Sequence, residues 1–143
     1  MGKATDVMHS KIAAFNAQDA NEVMRLYSHD TVLEVPGAPV LRGRDQVLAY
    51  FSGLWEAFPD VKLTVTRVVE EGSVVVIRGR AEGTHQGTLR TPAGDIPPTG
   101  RGMELAFSDH YEVQGGVVVS NDLHFDRLAL LEQLGVAPAP APS

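Results

Sequence analysis

The spacing of apolar positions divides the chain into helices first and strands afterwards. Met8, Ile12 and Phe15 fall at i, i+4 and i+7, one stripe of a helix over about 6–17. Asp19 stands three residues before Glu22, a capping-box-like start for a short second helix with Val23, Leu26 and Tyr27 turned inward. The stretch 31–35 is rich in β-formers and stops at Pro36-Gly37, which predicts a strand and a turn. Val47, Phe51, Leu54 and Phe58 keep helical spacing through 44–58, and Pro59 ends that helix.

Alternation then takes over. Val61, Leu63 and Val65 alternate with Lys62, Thr64 and Thr66, predicting a half-buried strand to about Glu70. After Glu71-Gly72-Ser73, residues 74–85 put Arg78, Arg80 and Glu82 on one face and Val75, Ile77, Gly79 and Ala81 on the other. Gly79 and Ala81 place almost no side-chain volume on the inner face, and a strand glycine marks a close approach or room for something else. The segment 83–100 holds four Gly and three Pro, which predicts a loop over one end of the sheet. Asp126 is placed to cap a last helix in which Leu128, Leu131 and Leu134 line up, with Gly135 at C′. The reading is one α+β domain over 1–135, followed by a Pro/Ala tail over 136–143 that is expected to be disordered.

The hairpin around Gly115-Gly116 decides which residues share a face, because a slip of one residue inverts every side chain. A three-residue loop, Gln114-Gly115-Gly116, pairs Tyr111 with Val119, Asp109 with Asn121, Phe107 with Leu123 and Leu105 with Phe125. That face is apolar apart from Asp109, Asn121 and the Tyr111 hydroxyl. A two-residue loop instead pairs Asp109 with Asp122 and Phe107 with His124, gathering two carboxylates and an imidazole. The three-residue register is preferred, since it separates hydrophobic from polar side chains. In it Asp109 is a carboxyl on an apolar concave wall, where desolvation would raise its pKa toward the range a general acid or base needs.

Composition narrows the chemistry. A net charge of −6 argues against nucleic acid and anionic membranes as partners, since both call for a basic face. No apolar run approaches a membrane span and the first ten residues have no signal-like core, so a cytoplasmic protein is the expectation. The absence of cysteine excludes disulfides, thiol catalysis and thiolate metal sites. Five scattered histidines lack metal-like spacing, so no metal is expected.

Several segments together resemble one family. GTHQG at 83–87, IPPTG at 96–100, SDHYEVQGGVV at 108–118 and FDRLALLEQLG at 125–135 resemble the SnoaL-like polyketide and ester cyclases. These belong to the nuclear transport factor two-like superfamily. FNAQD at 15–19, PGAPVLRGRD at 36–45 and EAFPD at 56–60 agree with the superfamily more broadly.

The resemblance implies a cone-shaped curved antiparallel sheet, wrapped by three or four helices around a deep apolar pocket. It implies a homodimer, and an aldol ring closure on an aromatic polyketide ester without metal or organic cofactor. An isomerase or hydratase on the same scaffold is the alternative chemistry. Asp109 matches an acidic position of the penultimate strand, and His85 matches the His of the GTH motif. The family's last strand reads Trp-Asp where this chain has Asp122-Leu123, and that Asp is the cyclases' acid–base residue. Its replacement by Leu123 leaves Asp109, alone or with His85 or Asn121, to carry the chemistry, or leaves a non-catalytic ligand-binding protein.

The candidate site is therefore Asp109 and His85 for catalysis. Asn121, Tyr111, Phe107, Leu123, Trp55, Tyr27 and Phe51 are the candidates for contact with a small hydrophobic or aromatic ligand. Tyr27, Phe51, Trp55 and Phe107 can equally be plain core.

Overall fold

The computed structural model describes residues 2–136. The elements run α1 (Lys3–Asn16), α2 (Ala20–Leu26), β1 (Tyr27–Glu34), β2 (Leu41–Arg42), α3 (Gly43–Ala57), β3 (Lys62–Glu71) and β4 (Val74–Thr84). They continue with β5 (Leu89–Thr91), β6 (Gly94–Ile96), β7 (Gly102–Gln114), β8 (Val117–Phe125) and α4 (Arg127–Gln133). The order is α+β, and six strands form one sheet in the order β2-β1-β8-β7-β4-β3. The sheet is not wholly antiparallel as expected: β1 pairs with β8 in parallel. Most of the expected tail, from 137 on, lies outside the described residues.

The first and third helices form where their apolar stripes fall. Met8, Ile12 and Phe15 of α1 are buried, as are Val47 and Phe51 of α3 with Phe58 just beyond its end. The Asp19 side chain accepts from the Glu22 backbone N–H at 3.1 Å, and the Asp126 side chain from Ala129 N–H at 2.9 Å. These caps satisfy amide donors that a helix start leaves free. The chain leaves α4 through a left-handed Gly135 (φ 75°), with Val136 N–H bonded to the Leu131 carbonyl at 2.9 Å.

Three local expectations change. Tyr27 begins β1 rather than ending the second helix. The 83–100 segment carries a small hairpin of its own, β5 with β6, in which Leu89 is buried. In α4 the inward set is Ala129, Leu130 and Leu134, while Leu128 is 56% exposed. Seven residues make too short a helix for the stripe to be read from leucines alone.

The β7–β8 hairpin departs from both registers while keeping the facial segregation of one. The turn is the two-residue Gly115-Gly116, with Gln114 opposite Val117, and both glycines have positive φ (60° and 80°). This is the backbone that tight hairpins of matching twist require. The extra residue that segregation demands sits in β8 instead: Val118 pairs with Val113, Ser120 with Glu112, and Val119 is left over as a bulge. Beyond it Tyr111 faces Asn121, Asp109 faces Leu123, and Phe107 faces Phe125. These pairs are offset by two from the expected ones, so parity is preserved. Asp109, Tyr111, Asn121 and Leu123 point inward, while Asp122 and His124 remain outside, 3.1 Å apart.

A second bulge, at Thr66 of β3, lies beside Gly79 of β4. A Cβ on Gly79 would come within 2.6 Å of the Phe107 ring and 2.7 Å of the Thr64 carbonyl oxygen. Gly79 thus makes room for Phe107 and for the bent neighbouring strand. The bulges bend the sheet, and its concave face receives α1 against β3, β4 and β7, α3 against β1, and α4 against β7.

Candidate functional site

Between the sheet and helices α1, α3 and α4 lies a cavity of about 90 Å³. Its walls are apolar: Phe51, Leu54 and Phe58 come from the α3 side, and Leu105, Phe107 and Leu123 from the sheet. Two charged side chains interrupt that lining, Lys11 from α1 and Asp109 from β7. Both are 3% exposed. The cavity runs from this buried pair to half-exposed Leu54, Phe125 and Leu130.

Asp109 is held from behind by side chains of β7 and β8, with Tyr27 of β1 bonded behind them. Tyr111 donates its hydroxyl to Oδ2 at 2.7 Å, and Asn121 donates Nδ2 to Oδ1 at 2.5 Å. Asn121 Nδ2 also reaches the His110 carbonyl at 3.1 Å, and its Oδ1 accepts from the Tyr27 hydroxyl at 2.7 Å. Lys11 Nζ donates to the Tyr111 oxygen at 3.1 Å and stands 3.8 Å from Asp109 Oδ2. The result is a converging chain, Tyr27–Asn121–Asp109–Tyr111–Lys11. Every polar atom in it has a partner, as a dry site requires.

Burial dominates the electrostatics. It pushes the Asp109 carboxyl up, against the opposing pull of Lys11, Tyr111 and Asn121. It pushes the Lys11 amine down, against the pull of Asp109. Both shifts move toward neutral groups, because each charge loses its hydration. Tyr27 and Tyr111 are raised well above the ordinary phenol value, by burial first and the Asp109 charge second, so both keep their protons.

The other expected residues fall in three places. Phe51, Phe107 and Leu123 line the cavity with Asp109. Tyr111, Asn121 and Tyr27 form the layer behind it. Trp55 and His85 lie outside the lining. Trp55 packs on Phe15 with ring centroids 5.6 Å apart, and its indole Nε1–H is buried without a protein partner. His85 stacks on the outer side of Phe58, 5.4 Å between centroids. Its Nδ1 accepts from the Thr99 backbone N–H at 3.2 Å, and its backbone bonds Arg101 and Gly100 at 2.8 Å each. Desolvation lowers the pKa of His85, consistent with a neutral ring whose Nδ1 is an acceptor. Lys11, Tyr50, Met103 and Leu130 line the cavity and are not among the residues the sequence singles out. Tyr50 was passed over beside Phe51, and Lys11 lies on the α1 stripe, three residues after Met8 and four before Phe15. A lone lysine within an apolar stripe was the available signal.

The model of the SnoaL-like polyketide cyclase family matches residues 5–134 of this sequence. The chain belongs to that family. Solved SnoaL-like and related proteins share its fold. A SnoaL-like polyketide cyclase candidate from Jannaschia sp. CCS1 is 21% identical with a TM-score of 0.83, covering 96% of this chain and 94% of that one. The proposed polyketide cyclase IdmH from Streptomyces antibioticus is 28% identical with a TM-score of 0.78, covering 94% and 100%. AclR from Streptomyces galilaeus, a proposed hydroxylase, is 25% identical with a TM-score of 0.80, covering 96% and 85%. None of the curated proteins compared with this SnoaL-like chain matches it. The different activities proposed for these neighbours mean that the family frame does not choose the reaction.

Proposed function

We propose that this SnoaL-like protein is an acid–base enzyme acting on a bulky apolar or aromatic carbonyl compound, of the polyketide or ester cyclase type, without a cofactor. The observation that carries the reading is Asp109, a carboxyl 3% exposed at the inner end of an otherwise apolar cavity and shared with one amine. Its carboxylate removes a proton from carbon beside the substrate carbonyls. The enolate closes a ring on a second carbonyl, and the Asp109 proton passes to the new alkoxide. Exclusion of water strengthens each of these electrostatic contacts. Tyr111, Asn121 and Tyr27 act through Asp109 by holding its carboxyl, and His85 holds the loop it begins. A dimer is the proposed assembly, with a small hydrophobic or aromatic ligand as the partner of each cavity.

Asp109→Asn, assayed for turnover of aromatic polyketide esters, is expected to lose about 100-fold or more in kcat, the usual share of a general acid–base group. Turnover within a few-fold of wild type would sink the reading. A second reading, binding without turnover, draws on Leu123, which stands directly across from Asp109 where the family carries its acid–base Asp. It expects native mass spectra to show a chemically unchanged ligand that survives purification.

A further inference from the structure

We propose that Lys11 is a nucleophilic amine that condenses with aldehyde or ketone carbonyls entering the cavity, giving the site an imine-forming activity. The proposal rests on the reading of the cavity as a carbonyl-compound site and adds a covalent step that Asp109 alone does not supply. Lys11 and Asp109 both line the cavity, with Nζ 3.8 Å from the carboxyl, so an incoming carbonyl meets the two residues together. As a cation the amine is poorly supplied with hydrogen bonds. An ammonium offers three N–H donors, and Lys11 has a single hydrogen bond, to Tyr111. The Asp109 oxygen at 3.8 Å is beyond hydrogen-bond reach. Its remaining neighbours are rings, with the centroids of Phe51, Tyr111 and Phe15 at 4.9, 5.4 and 5.6 Å.

The groups that face Lys11 also allow its proton to leave. Tyr111 links the amine to the carboxyl by one accepted and one donated hydrogen bond, 3.1 and 2.7 Å long. The same heavy-atom positions serve with the chain reversed, the Asp109 carboxylic acid donating to Tyr111 and Tyr111 to a neutral amine. Asp109 and Tyr111 come from β7, Phe51 and Tyr50 from α3, and Tyr27 and Asn121 stand behind Asp109. Asp109 favours a charged lysine by its charge, and the Phe51, Tyr111 and Phe15 rings do so more weakly by cation–π contact. Desolvation works against both and lowers the amine's proton affinity.

The step balances with the groups present. The neutral Lys11 amine adds to the carbonyl carbon, and the carbinolamine oxygen takes the proton of the Asp109 acid and leaves as water. An iminium on Lys11 and a carboxylate on Asp109 remain, side by side. That carboxylate can then remove a proton from the carbon next to the iminium, giving an enamine for carbon–carbon bond formation, and water later releases the product.

The chain has three lysines, Lys3, Lys11 and Lys62, and the other two are exposed, which makes an internal control. The intact protein is treated at neutral pH with benzaldehyde and sodium cyanoborohydride, digested, and mapped by mass spectrometry. Formaldehyde serves as a second probe, so that exclusion by size is not mistaken for inertness. An ordinary exposed lysine is free amine to only about one part in a few thousand at pH 7. Lys11 is therefore expected to gain its reductive adduct about tenfold or more faster than Lys3 and Lys62. Adducts on Lys3 and Lys62 with Lys11 untouched by both probes overturn the proposal. The outcome is separable from the acid–base reading. An unreactive Lys11 with an inactive Asp109→Asn leaves that reading standing, whereas a labelled Lys11 with an active Asp109→Asn removes it and keeps the amine.

Discussion

Lys11 and Asp109 set the energetics of the inner cavity, because each is a buried ionisable group whose partner compensates its charged form only in part. Replacing such a pair with neutral side chains of similar size is neutral or stabilising by about 1–4 kcal/mol in known cases. The double variant Lys11→Met/Asp109→Asn should therefore be at least as stable as wild type at pH 7, read from urea unfolding. A double variant clearly less stable would mean that the pair is there for folding. The pH dependence has a definite sign. Asp109 is raised by burial, so between the ordinary carboxyl range and its folded value the folded state holds a proton the unfolded chain has lost. Stability falls with rising pH across that window. Asp109→Asn should gain on wild type as pH rises from about 4 upward. Lys11 is lowered, so its contribution has the opposite slope, rising with pH between its folded value and the ordinary lysine range. At this scale Asp109 was legible from strand alternation. Lys11 was legible in position yet missed, because a lysine on a helix reads first as a solvated one.

Among the elements, the β7–β8 hairpin does the most to place chemistry. The Val119 bulge keeps Asn121 and Leu123 inward after a two-residue turn that would otherwise turn them out. Inserting one alanine between Ser120 and Asn121 should invert the rest of β8 against β7, burying Asp122 and His124 and exposing Leu123 and Phe125. Deleting Val119 should instead keep the Tyr111–Asn121 and Asp109–Leu123 pairs. Loss of cooperative unfolding by circular dichroism is expected for the insertion. Val119→Thr, which keeps the residue count, should stay within about 1 kcal/mol of wild type. An insertion variant that folds as well as wild type would show that the register is not what places the site. Alternation in the sequence established that an extra residue was needed. Its location, strand or turn, depended on which backbone could bend, and two adjacent glycines in a tight turn left the bend to β8.

For the molecule as a whole, the cavity is closed by elements far apart in sequence, and the outer sheet face is left over. That face carries Arg78, Arg80, Glu104, Ser108, His110 and His124, with an ion pair between Arg80 and Glu104. Val69 and Val74 are exposed on the sheet, 56% and 38%. The proposed homodimer predicts a light-scattering mass of twice the 15.4 kDa chain at micromolar concentration, and a mass of one chain would remove it. Among the described residues no helix is long and apolar enough to cross a membrane.

Local physics is what the sequence determined by itself. Stripes at helical spacing specified two helices, capping side chains specified two helix starts, and period-two alternation specified which strand residues face inward. The family motifs carried the fold class. Only the tertiary structure decided the rest, because it depends on pairings across long separations. The parallel contact of β1 with β8, the Asn121–Asp109 diagonal, and Lys11 reaching Tyr111 across 100 residues each required the sheet to be curved and the helices docked. The chemistry of Asp109 follows from that closure. A carboxyl on an alternating strand is ordinary until helices from the far end of the chain remove its water.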